Sequence, residues 1–427
     1  MSKFEYKHRI ADLLLASKLR SAGAVLVQGP KWCGKSTTAS QIAESSLMLG
    51  TPKILHETRN LLSIEPSLVM NGATPRLFDE WQTIPELWDT IRSEIDNRQE
   101  MGQFVLTGSA VPLESNEIQH TGTGRFAWLR MRPMTLWESQ ESTGDVSLAE
   151  IFDGVTRKIM GTNKHSLQDI AYILCRGGWP ISLSQQLEDA LNTAYNYVDA
   201  IAESDLSRVD NTLRNPMRVR RLLRSLGRLQ GTAAPISTIC QDMIANDEST
   251  LSEKTIASYI NALEKIFVIE DMPAWSTNLR SKTAIRTSNT RYFVDPSIAV
   301  AALGITPSKL MNDLNTFGLL FETMAVRDLR VYADAINAKV YHYRDKDELE
   351  CDAIIERRDG SYGLVEIKIG GDYAIREAQN TLNALSKKID TDKVGKPQFR
   401  MILTAVGNYA MQLEDGIYVV PIGCLKP

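Results

Sequence analysis

Short apolar runs alternate with amphipathic stretches along the first third of the chain. Three of these runs are GAVLVQGP, PRLFDEWQ and QFVLTGS, and each ends in a polar or glycine-containing turn. Continuous apolar runs of this length are typical of strands that are buried on both faces of a parallel sheet. The pattern therefore predicts an α/β domain with a parallel sheet between Val25 and Trp137.

A different pattern follows in the middle of the chain. A helical segment is predicted from about 147 to 205, interrupted by RGGWP, because Gly-Gly-X-Pro cannot continue a helix. Next come an arginine-rich stretch, ISTICQDM, a break at NDEST, SEKTIASYINALEKIFVIEDMPAW and RYFVD. Their apolar spacing gives the order helix, turn, helix and β-wing, which predicts a winged helix.

The last part predicts a second α/β domain. The helix GLLFETMAVRDLRVYADA precedes the strands KVYHYRD, LECDAIIERR and YGLVEIKIG. A helix near 374–388 and the strands FRMILTAV and GIYVVPI complete the pattern. We therefore expect a P-loop domain at 1–205, with its core at 1–146 and a helical lid at 147–205. The arginine-rich helix and winged helix are expected at 206–302, and the C-terminal domain at 303–427.

Composition narrows the class of protein. The 427 residues carry a net charge of −4, which argues against a uniformly polycationic chain but allows a local basic face. The cysteines are scattered without a CxxC pair, which argues against a disulfide framework or zinc site and favours a reducing compartment. They are Cys33, Cys175, Cys240, Cys351 and Cys424. The polar amino terminus and the lack of an 18-residue apolar run predict a soluble, cytoplasmic protein without a membrane partner.

A phosphate-binding loop is predicted at 29–36, because GPKWCGKS fits GxxxxGK[ST] between a predicted strand and a predicted helix. Backbone N–H groups of such a loop face phosphate oxygens, and the helix amino terminus adds positive potential. Lys35 is expected on the β- and γ-phosphates of ATP, and Ser36 on Mg²⁺. The predicted nucleotide-binding residues are Gly29, Pro30, Lys31, Trp32, Cys33, Gly34, Lys35, Ser36 and Thr37.

Acidic and polar residues complete the predicted ATPase site. Asp79 and Glu80 end the strand LFDE, where Asp79 would bind Mg²⁺ and Glu80 would polarise the attacking water. Thr107, at the end of FVLT, would sense the γ-phosphate or place the water, although threonine is also common in strands. Arg125, in TGTGRF, is a candidate arginine finger for a neighbouring subunit or an ordinary surface arginine.

The motifs together resemble one family. GPKWCGKST, LFDEWQ, FVLTGS, GRF and LRMRPMTLWE occur in this order, followed by RGGWP, TIASYINALEKIFVIEDMPAW, YFVDPSIA and GLLFE. The chain is similar over nearly its whole length to prokaryotic AAA-type ATPases that carry a C-terminal domain of unknown function. The resemblance implies an AAA+ or RecA-like core, a winged helix and a C-terminal domain resembling PD-(D/E)xK nucleases. It also implies a homo-oligomer, for which a hexameric ring is one expected form.

A second polar constellation lies near the carboxyl end. Glu366 and Lys368 are two apart and project from one face of a strand, and a hairpin would bring Asp352 beside Glu366. Two carboxylates can hold Mg²⁺ while a lysine orients the water that attacks a phosphodiester. Glu322 would add a third carboxylate, and Gln379 is a weaker candidate. The alternative is an ordinary salt bridge between Glu366 and Lys368.

An arginine cluster precedes the predicted winged helix. Its members are Arg208, Arg214, Arg218, Arg220, Arg221, Arg224 and Arg228. At helical spacing, those from Arg214 to Arg228 could track a DNA backbone, with Met217, Leu222, Leu223 and Leu226 on the apolar side. The alternative is a solvated face, or one paired with acids of a neighbouring subunit.

These expectations favour a Mg²⁺-dependent, oligomeric AAA-type ATPase that couples ATP hydrolysis to DNA binding, remodelling or processing. One alternative is a motor acting on DNA junctions, whose nuclease-like domain only binds. Another is a nucleotide-controlled switch that recruits a protein and has no DNA role. DNA-stimulated ATP turnover separates the DNA hypotheses from the switch.

Overall fold

The computed structural model describes residues 5–109, 122–155, 160–209, 212–244, 252–276, 288–389 and 391–427. The helices are α1 (Ile10–Leu19), α2 (Lys35–Ile42), α3 (Pro52–Ile64), α4 (Pro66–Met70), α5 (Leu87–Arg98), α6 (Leu148–Phe152), α7 (Leu167–Arg176), α8 (Leu187–Ala200), α9 (Leu206–Arg208), α10 (Pro216–Arg228), α11 (Ile236–Ile244), α12 (Glu253–Lys265), α13 (Pro296–Leu303), α14 (Pro307–Met311), α15 (Leu314–Ala335), α16 (Asp372–Lys388) and α17 (Thr391–Val394). The strands are β1 (Ala24–Gln28), β2 (Ser45–Met48), β3 (Arg76–Asp79), β4 (Phe104–Gly108), β5 (Phe126–Arg130), β6 (Val146–Ser147), β7 (Ile269–Met272), β8 (Thr290–Phe293), β9 (Ala338–Arg344), β10 (Glu350–Arg357), β11 (Tyr362–Lys368), β12 (Phe399–Thr404), β13 (Met411–Gln412), β14 (Tyr418–Pro421) and β15 (Leu425–Lys426).

The chain forms two compact units, of which the first is a parallel α/β sandwich. It comprises Met1–Pro133, Asp205–Leu213 and Ala262–Phe267. Its sheet has the order β2-β3-β4-β1-β5, and every neighbouring pair is parallel. This confirms the predicted parallel sheet. In this order β4 separates β1 from β3, so polar groups at the carboxyl ends of these three strands lie side by side.

Helices cover both faces of this sheet. Val25 and Val27 of β1 belong to a buried cluster with Leu15 of α1 and Ala39 of α2. The alternate residues of β1 point to the opposite face, where a second cluster includes Leu26 and residues of α4 and α5. Because side chains alternate along a strand, a run of consecutive apolar residues is required to fill both cores.

The second unit comprises Met134–Ser204, Arg214–Asn261 and Val268–Pro427. Its sheet has the order β13-β14-β12-β11-β10-β9. Strands β9, β10 and β11 are antiparallel neighbours, whereas β11, β12 and β14 are parallel. Residues Ala378, Leu382 and Leu385 bury one face of α16 in a cluster with Ile354 of β10 and Leu364 of β11. The predicted helices and strands of this region are therefore present.

The middle of the chain contains the elements on which the winged-helix prediction rests. The order is α10, α11, α12 and an antiparallel ribbon of β7 and β8, with Ile269 opposite Phe293. An isolated bridge also joins Thr232, between α10 and α11, to Arg291 of β8. The winged helix itself stays a prediction, as do the proposed domain boundaries.

No helix in the described part of the chain is both long and apolar enough to cross a bilayer.

Candidate nucleotide-binding site and carboxylate cluster

The predicted phosphate loop connects the end of β1 to the first residue of α2. A side chain at Gly29 would place its Cβ 2.0 Å from the carbonyl oxygen of Met131, so only glycine fits there. Gly34, with φ of 99°, and Trp32, with φ of 65°, both adopt left-handed backbone conformations. This conformation suits glycine but strains a bulky residue such as tryptophan, and such strain is often found at functional loops. The loop therefore turns sharply into the amino terminus of α2, as an anion-binding loop requires.

The charged side chains of the loop bind groups of the same chain. Lys35 is buried, and its Nζ donates to the carbonyl oxygen of Pro30 at 2.8 Å. Lys31 Nζ lies 2.6 Å from Oδ1 of Asp205, which ends a π-helical turn. Trp32 is 48% exposed, whereas Cys33 is fully buried. Each Nζ therefore already has one partner within the chain and has further N–H donors for a phosphate.

Arg9, which was not predicted from the sequence, supports the loop from the start of α1. One guanidinium nitrogen of this buried side chain donates to the carbonyl oxygen of Cys33 at 2.8 Å. The other donates to the carbonyl oxygen of Arg132, also at 2.8 Å. A single arginine ahead of a helix has no motif that would have identified this contact.

Three predicted residues meet at the carboxyl ends of the central strands. Ser36 and Thr107 both donate their hydroxyl groups to Oδ1 of Asp79, each at 2.5 Å. Asp79 and Thr107 are buried, and they are register partners on β3 and β4. The hydroxyl oxygens of Ser36 and Thr107 and the carboxylate of Asp79 suit Mg²⁺, which prefers carboxylate, hydroxyl, water and phosphate oxygens. The donor set fits the expected cofactor, with phosphates and water supplying the remaining ligands.

Glu80 follows Asp79 in a left-handed backbone conformation, with φ of 57°. Its Oε2 accepts a hydrogen bond from Nε2 of Gln82 at 2.5 Å, and its Oε1 accepts one from the hydroxyl of Ser109 at 3.2 Å. Neither partner was identified from the sequence. Both lie within two residues of a predicted site residue, but nothing in their spacing marked them.

Arg125 precedes β5 and is bound within its own chain. Its Nε lies 2.8 Å from Oδ1 of Asp96, and its Nη2 lies 3.3 Å from Oδ2 of the same carboxylate. Both side chains are partly exposed. A role toward a neighbouring subunit would require Arg125 to leave Asp96, and that role stays a prediction.

In the second unit, the hairpin of β10 and β11 brings the C-terminal candidates together. Ala353 is opposite Val365, which makes Asp352 and Glu366 cross-strand neighbours. Lys368 Nζ lies 2.8 Å from Oε2 of Glu366 and 3.4 Å from Oδ2 of Asp352. Glu366 is buried, whereas Asp352 and Lys368 are partly exposed. The three groups form one polar cluster that solvent can reach.

Glu322 approaches this cluster from α15. Its Oε1 accepts a hydrogen bond from the hydroxyl of Tyr292 on β8 at 2.6 Å. Burial and the nearby Asp352 carboxylate raise the pKa of Glu322 to about 8, and the same two causes raise that of Glu366. Burial alone would lower the pKa of Lys368, but the Asp352 and Glu366 carboxylates outweigh it and raise that pKa. Tyr292 was not predicted.

Two further observations limit the metal hypothesis for this cluster. Over the described residues, no group of three or more His, Cys, Asp or Glu side chains is arranged to hold a metal ion by itself. Gln379, the weaker candidate, donates instead to Oδ2 of Asp415 at 2.9 Å. A cation at the cluster would therefore need ligands from its substrate or from water.

The arginine-rich helix α10 is partly neutralised within the chain. Arg220 pairs with Asp199 and Glu203, and Arg228 pairs with Asp242. Arg214 is buried, with its guanidinium 5.5 Å from the ring centre of Tyr259. These ion pairs reduce the positive charge that α10 offers to an external phosphate backbone.

The apolar face of α10 differs from the prediction at one position. Met217 is 59% exposed, whereas Val219 is fully buried with Leu222, Leu223 and Leu226. Met217 lies in the first turn of the helix, where the chain is capped by Asn215 and the apolar stripe has not yet begun. The assignment of Met217 to the buried face was therefore wrong.

Comparison with known protein families gives three matches. Residues 21–140 match an AAA domain, residues 167–309 match a domain of unknown function, DUF8612, and residues 317–425 match another, DUF4143. The AAA match includes the phosphate loop, Asp79, Glu80 and Thr107. It supports an ATPase of AAA type, which agrees with the geometry of the site.

Similar proteins come from several prokaryotes. The uncharacterized proteins Rv2008c of Mycobacterium tuberculosis and Mb2031c of Mycobacterium bovis are each 22% identical over 422 residues, covering 97% of this chain and 83% of theirs. Among solved structures, the Walker-type ATPase PABY2304 of Pyrococcus abyssi aligns with a TM-score of 0.40 and 15% identity. That alignment covers 70% of this chain and 96% of the archaeal one.

Proposed function

We propose that this protein is a Mg²⁺-dependent ATP hydrolase whose site is formed by the loop at 29–37 with Asp79, Glu80 and Thr107. The observation that carries the proposal is the meeting of Ser36 and Thr107 on a single oxygen of Asp79. A hydroxyl from the phosphate loop and a carboxylate from a nearby strand are the two protein groups that P-loop hydrolases use to hold the cation.

The loop residues bind the triphosphate. Backbone N–H groups between Gly29 and Ser36 and the amino terminus of α2 face the phosphate oxygens. Lys35 Nζ, which donates one hydrogen bond to the carbonyl oxygen of Pro30, uses its remaining donors to bind the β- and γ-phosphates. Ser36 and Asp79 hold Mg²⁺, which supplies charge neutralisation at the β- and γ-phosphates when bound.

Glu80 is the residue that accepts a proton from, or orients, the attacking water. Glu80 directly follows Asp79, the last residue of β3, which supports this role. Thr107, between β1 and β3, contacts Asp79 and lies where a hydroxyl can orient the water or the γ-phosphate. Losing a general base of this kind costs roughly 10²–10⁴-fold in rate.

The two roles are separated by two substitutions. Lys35→Ala should abolish ATP binding, because it removes the ammonium group that binds the phosphates. Glu80→Gln should retain ATP binding and stop turnover. Binding of a fluorescent ATP analogue and release of phosphate are measured for both, with the exposed Glu57→Gln as a control. Turnover by Glu80→Gln at the parent rate would remove Glu80 from the proposed role.

A second candidate function is metal-dependent hydrolysis of phosphodiesters in DNA at the cluster of Asp352, Glu366 and Lys368. The supporting observation is that Lys368 lies within reach of both carboxylates on one hairpin. In this arrangement the carboxylates bind the cation, and Lys368 orients the attacking water. A nicking assay on supercoiled DNA with Mg²⁺ or Mn²⁺ tests it.

Self-association into a ring, an Arg125 finger and DNA contact through Arg214–Arg228 complete the proposal. ATP turnover measured with and without single-stranded, duplex and branched DNA separates it from the alternative of a protein-recruiting switch. Stimulation by DNA supports the proposal, whereas the same rate in all four conditions favours the switch. The ion pairs of Arg220 and Arg228 favour a modest DNA affinity for α10.

A further inference from the structure

The catalytic candidate Glu80 is held by a side chain from its own turn. A 3-10 turn at Trp81–Thr83 follows Glu80, and the N–H of Thr83 donates to the carbonyl oxygen of Glu80 at 3.0 Å. This tight turn brings Gln82 back against the Glu80 side chain, where its amide donates to Oε2 at 2.5 Å. Ser109, one residue beyond β4, donates to the other carboxylate oxygen at 3.2 Å.

Two buried polar atoms near this contact are unsatisfied. Within the described part of the chain, Gln82 Oε1 and Trp81 Nε1 are buried and have no hydrogen-bond partner. Both lie beside Gly108, because a Cβ there would be 2.9 Å from Gln82 Oε1 and 3.2 Å from Trp81 Nε1. The amide of Gln82 cannot simply be reversed, since its oxygen would then face the Glu80 carboxylate. An unpaired buried acceptor costs free energy, so the held arrangement carries a local penalty.

We propose that Gln82 is a positioning residue that restrains Glu80, and that ATP turnover rises when the Gln82–Glu80 hydrogen bond is released. The inference rests on the proposed ATPase function. A carboxylate whose two oxygens accept hydrogen bonds from Gln82 and Ser109 is fixed toward these donors rather than toward a water at the γ-phosphate. While Gln82 is bonded to Glu80, its Oε1 has no hydrogen-bond partner. Breaking the Gln82–Glu80 hydrogen bond would let this oxygen bind water or another donor.

The location of the restraint indicates what would release it. Gly108 ends β4 and Ser109 follows it, next to Thr107, whose hydroxyl contacts Asp79. Ser109 therefore follows directly on the strand that also contributes to the cation site, and we expect nucleotide binding at this end of β4 to release the restraint.

Gln82→Met tests the restraint, since methionine keeps the length of the side chain and removes both the donor and the unsatisfied acceptor. We expect the kcat for ATP to rise by about tenfold, the rate equivalent of one hydrogen bond to a charged group. The KM for ATP should stay within about twofold, because no group on the phosphates changes.

Three further variants make the result decisive. Gln82→Ala, which has no amide, should raise kcat in the same direction and replaces Gln82→Met if that variant does not fold. Gln412→Met removes an exposed amide that donates to the carbonyl oxygen of Gly416 and should leave both constants unchanged. The double variant Glu80→Gln, Gln82→Met should be as inactive as Glu80→Gln.

The possible outcomes separate this inference from the ATPase proposal. A lower or unchanged kcat in Gln82→Met, with a parent protein that hydrolyses ATP, overturns the restraint and leaves the ATPase function standing. A fall in kcat would mean that Gln82 orients Glu80 productively. Absence of turnover in the parent and in both Gln82 variants overturns the ATPase proposal, and the restraint with it.

Discussion

The hydroxyl oxygen of Ser36 lies 2.5 Å from Oδ1 of Asp79, so the first turn of α2 is bonded directly to the end of β3. Thr107 donates to the same oxygen. A cation that binds Asp79 must compete with both hydroxyl protons, and Ser36 can then present its oxygen lone pairs to the metal. Ser36 Oγ and Asp79 Oδ1 therefore lie close enough to bind one cation together.

Asp79→Asn should weaken the Mg²⁺ dependence of the site, because an amide is neutral and donates where the carboxylate accepted. We expect the Mg²⁺ concentration for half-maximal ATP turnover to rise by at least about tenfold. Phosphate release is titrated with Mg²⁺, with Asp189→Asn on the exposed side of α8 as a matched control. An unchanged Mg²⁺ titration would remove Asp79 from the cation site.

Arg125→Ala separates a catalytic arginine from a surface ion pair. As a finger acting on a neighbouring subunit, its loss should lower ATP turnover by about 10³-fold or more with little effect on ATP affinity. Mixing Arg125→Ala with Lys35→Ala subunits should restore part of the activity, because each supplies what the other lacks.

Asp96→Ala is the control for Arg125, because it breaks the same ion pair and leaves the guanidinium in place. It should keep parental turnover. Equal losses in Arg125→Ala and Asp96→Ala would show that the ion pair matters for structure alone. Parental turnover in Arg125→Ala would transfer the predicted role to Arg130 or Arg132.

Glu322 makes the free energy of unfolding depend on pH when no divalent metal is bound. Its pKa is raised from 4.5 to about 8 by burial and by Asp352, so the folded state holds this proton more tightly than the unfolded chain does. The resulting stabilisation is complete below about pH 4.5 and is lost as pH rises toward 8. Glu322→Gln lacks this component, so its melting temperature should fall less over that interval.

The measurement is a series of thermal melts with EDTA between pH 4.5 and 8.5. Glu57→Gln, on the exposed face of α3, should follow the parent curve. The melting temperature of Glu322→Gln should still decline somewhat with rising pH, because the pKa of Glu366 is also raised in the folded state. Parallel curves for the parent and Glu322→Gln would contradict the assignment.

Asp352→Ala decides whether the C-terminal cluster cleaves DNA. If the cluster is active, Mg²⁺ or Mn²⁺ should permit nicking of supercoiled DNA, and Asp352→Ala should abolish it while Asp372→Ala on α16 does not. If the cluster only binds, the parent should not nick. Asp352→Ala should then leave DNA affinity unchanged or raise it, because it removes negative charge near the phosphates. Nicking that survives in Asp352→Ala would exclude this cluster as its source.

Much of the first unit could be predicted because its signals are local. Each central strand is a continuous apolar run, and its polar end supplies Asp79 or Thr107 directly. The hairpin of β10 and β11 was equally predictable from the sequence, since the alternation of side chains along the strand around Glu366 determines which of them share a face. These predictions needed only the period of the strand.

The contacts that were missed are long-range or depend on a turn. Arg9 reaches Cys33 and Arg132 through folding of distant segments, and Tyr292 meets Glu322 across 30 residues. Gln82 reaches Glu80 only because Glu80 adopts a left-handed conformation, which a glutamate seldom does. Charge pairing of α10 with α8 likewise could not be derived from the arginine spacing alone.

Gly29 is the first residue of the phosphate-loop motif, yet the contact that requires glycine there is made by the protein itself and not by a nucleotide. The carbonyl oxygen of Met131 occupies the space that any side chain would need. A related chain that had lost its nucleotide would therefore keep this glycine for packing, and would still appear to carry half of the motif. Lys35 and Ser36, whose side chains perform the chemistry, are the positions by which an active relative and a decayed one can be told apart.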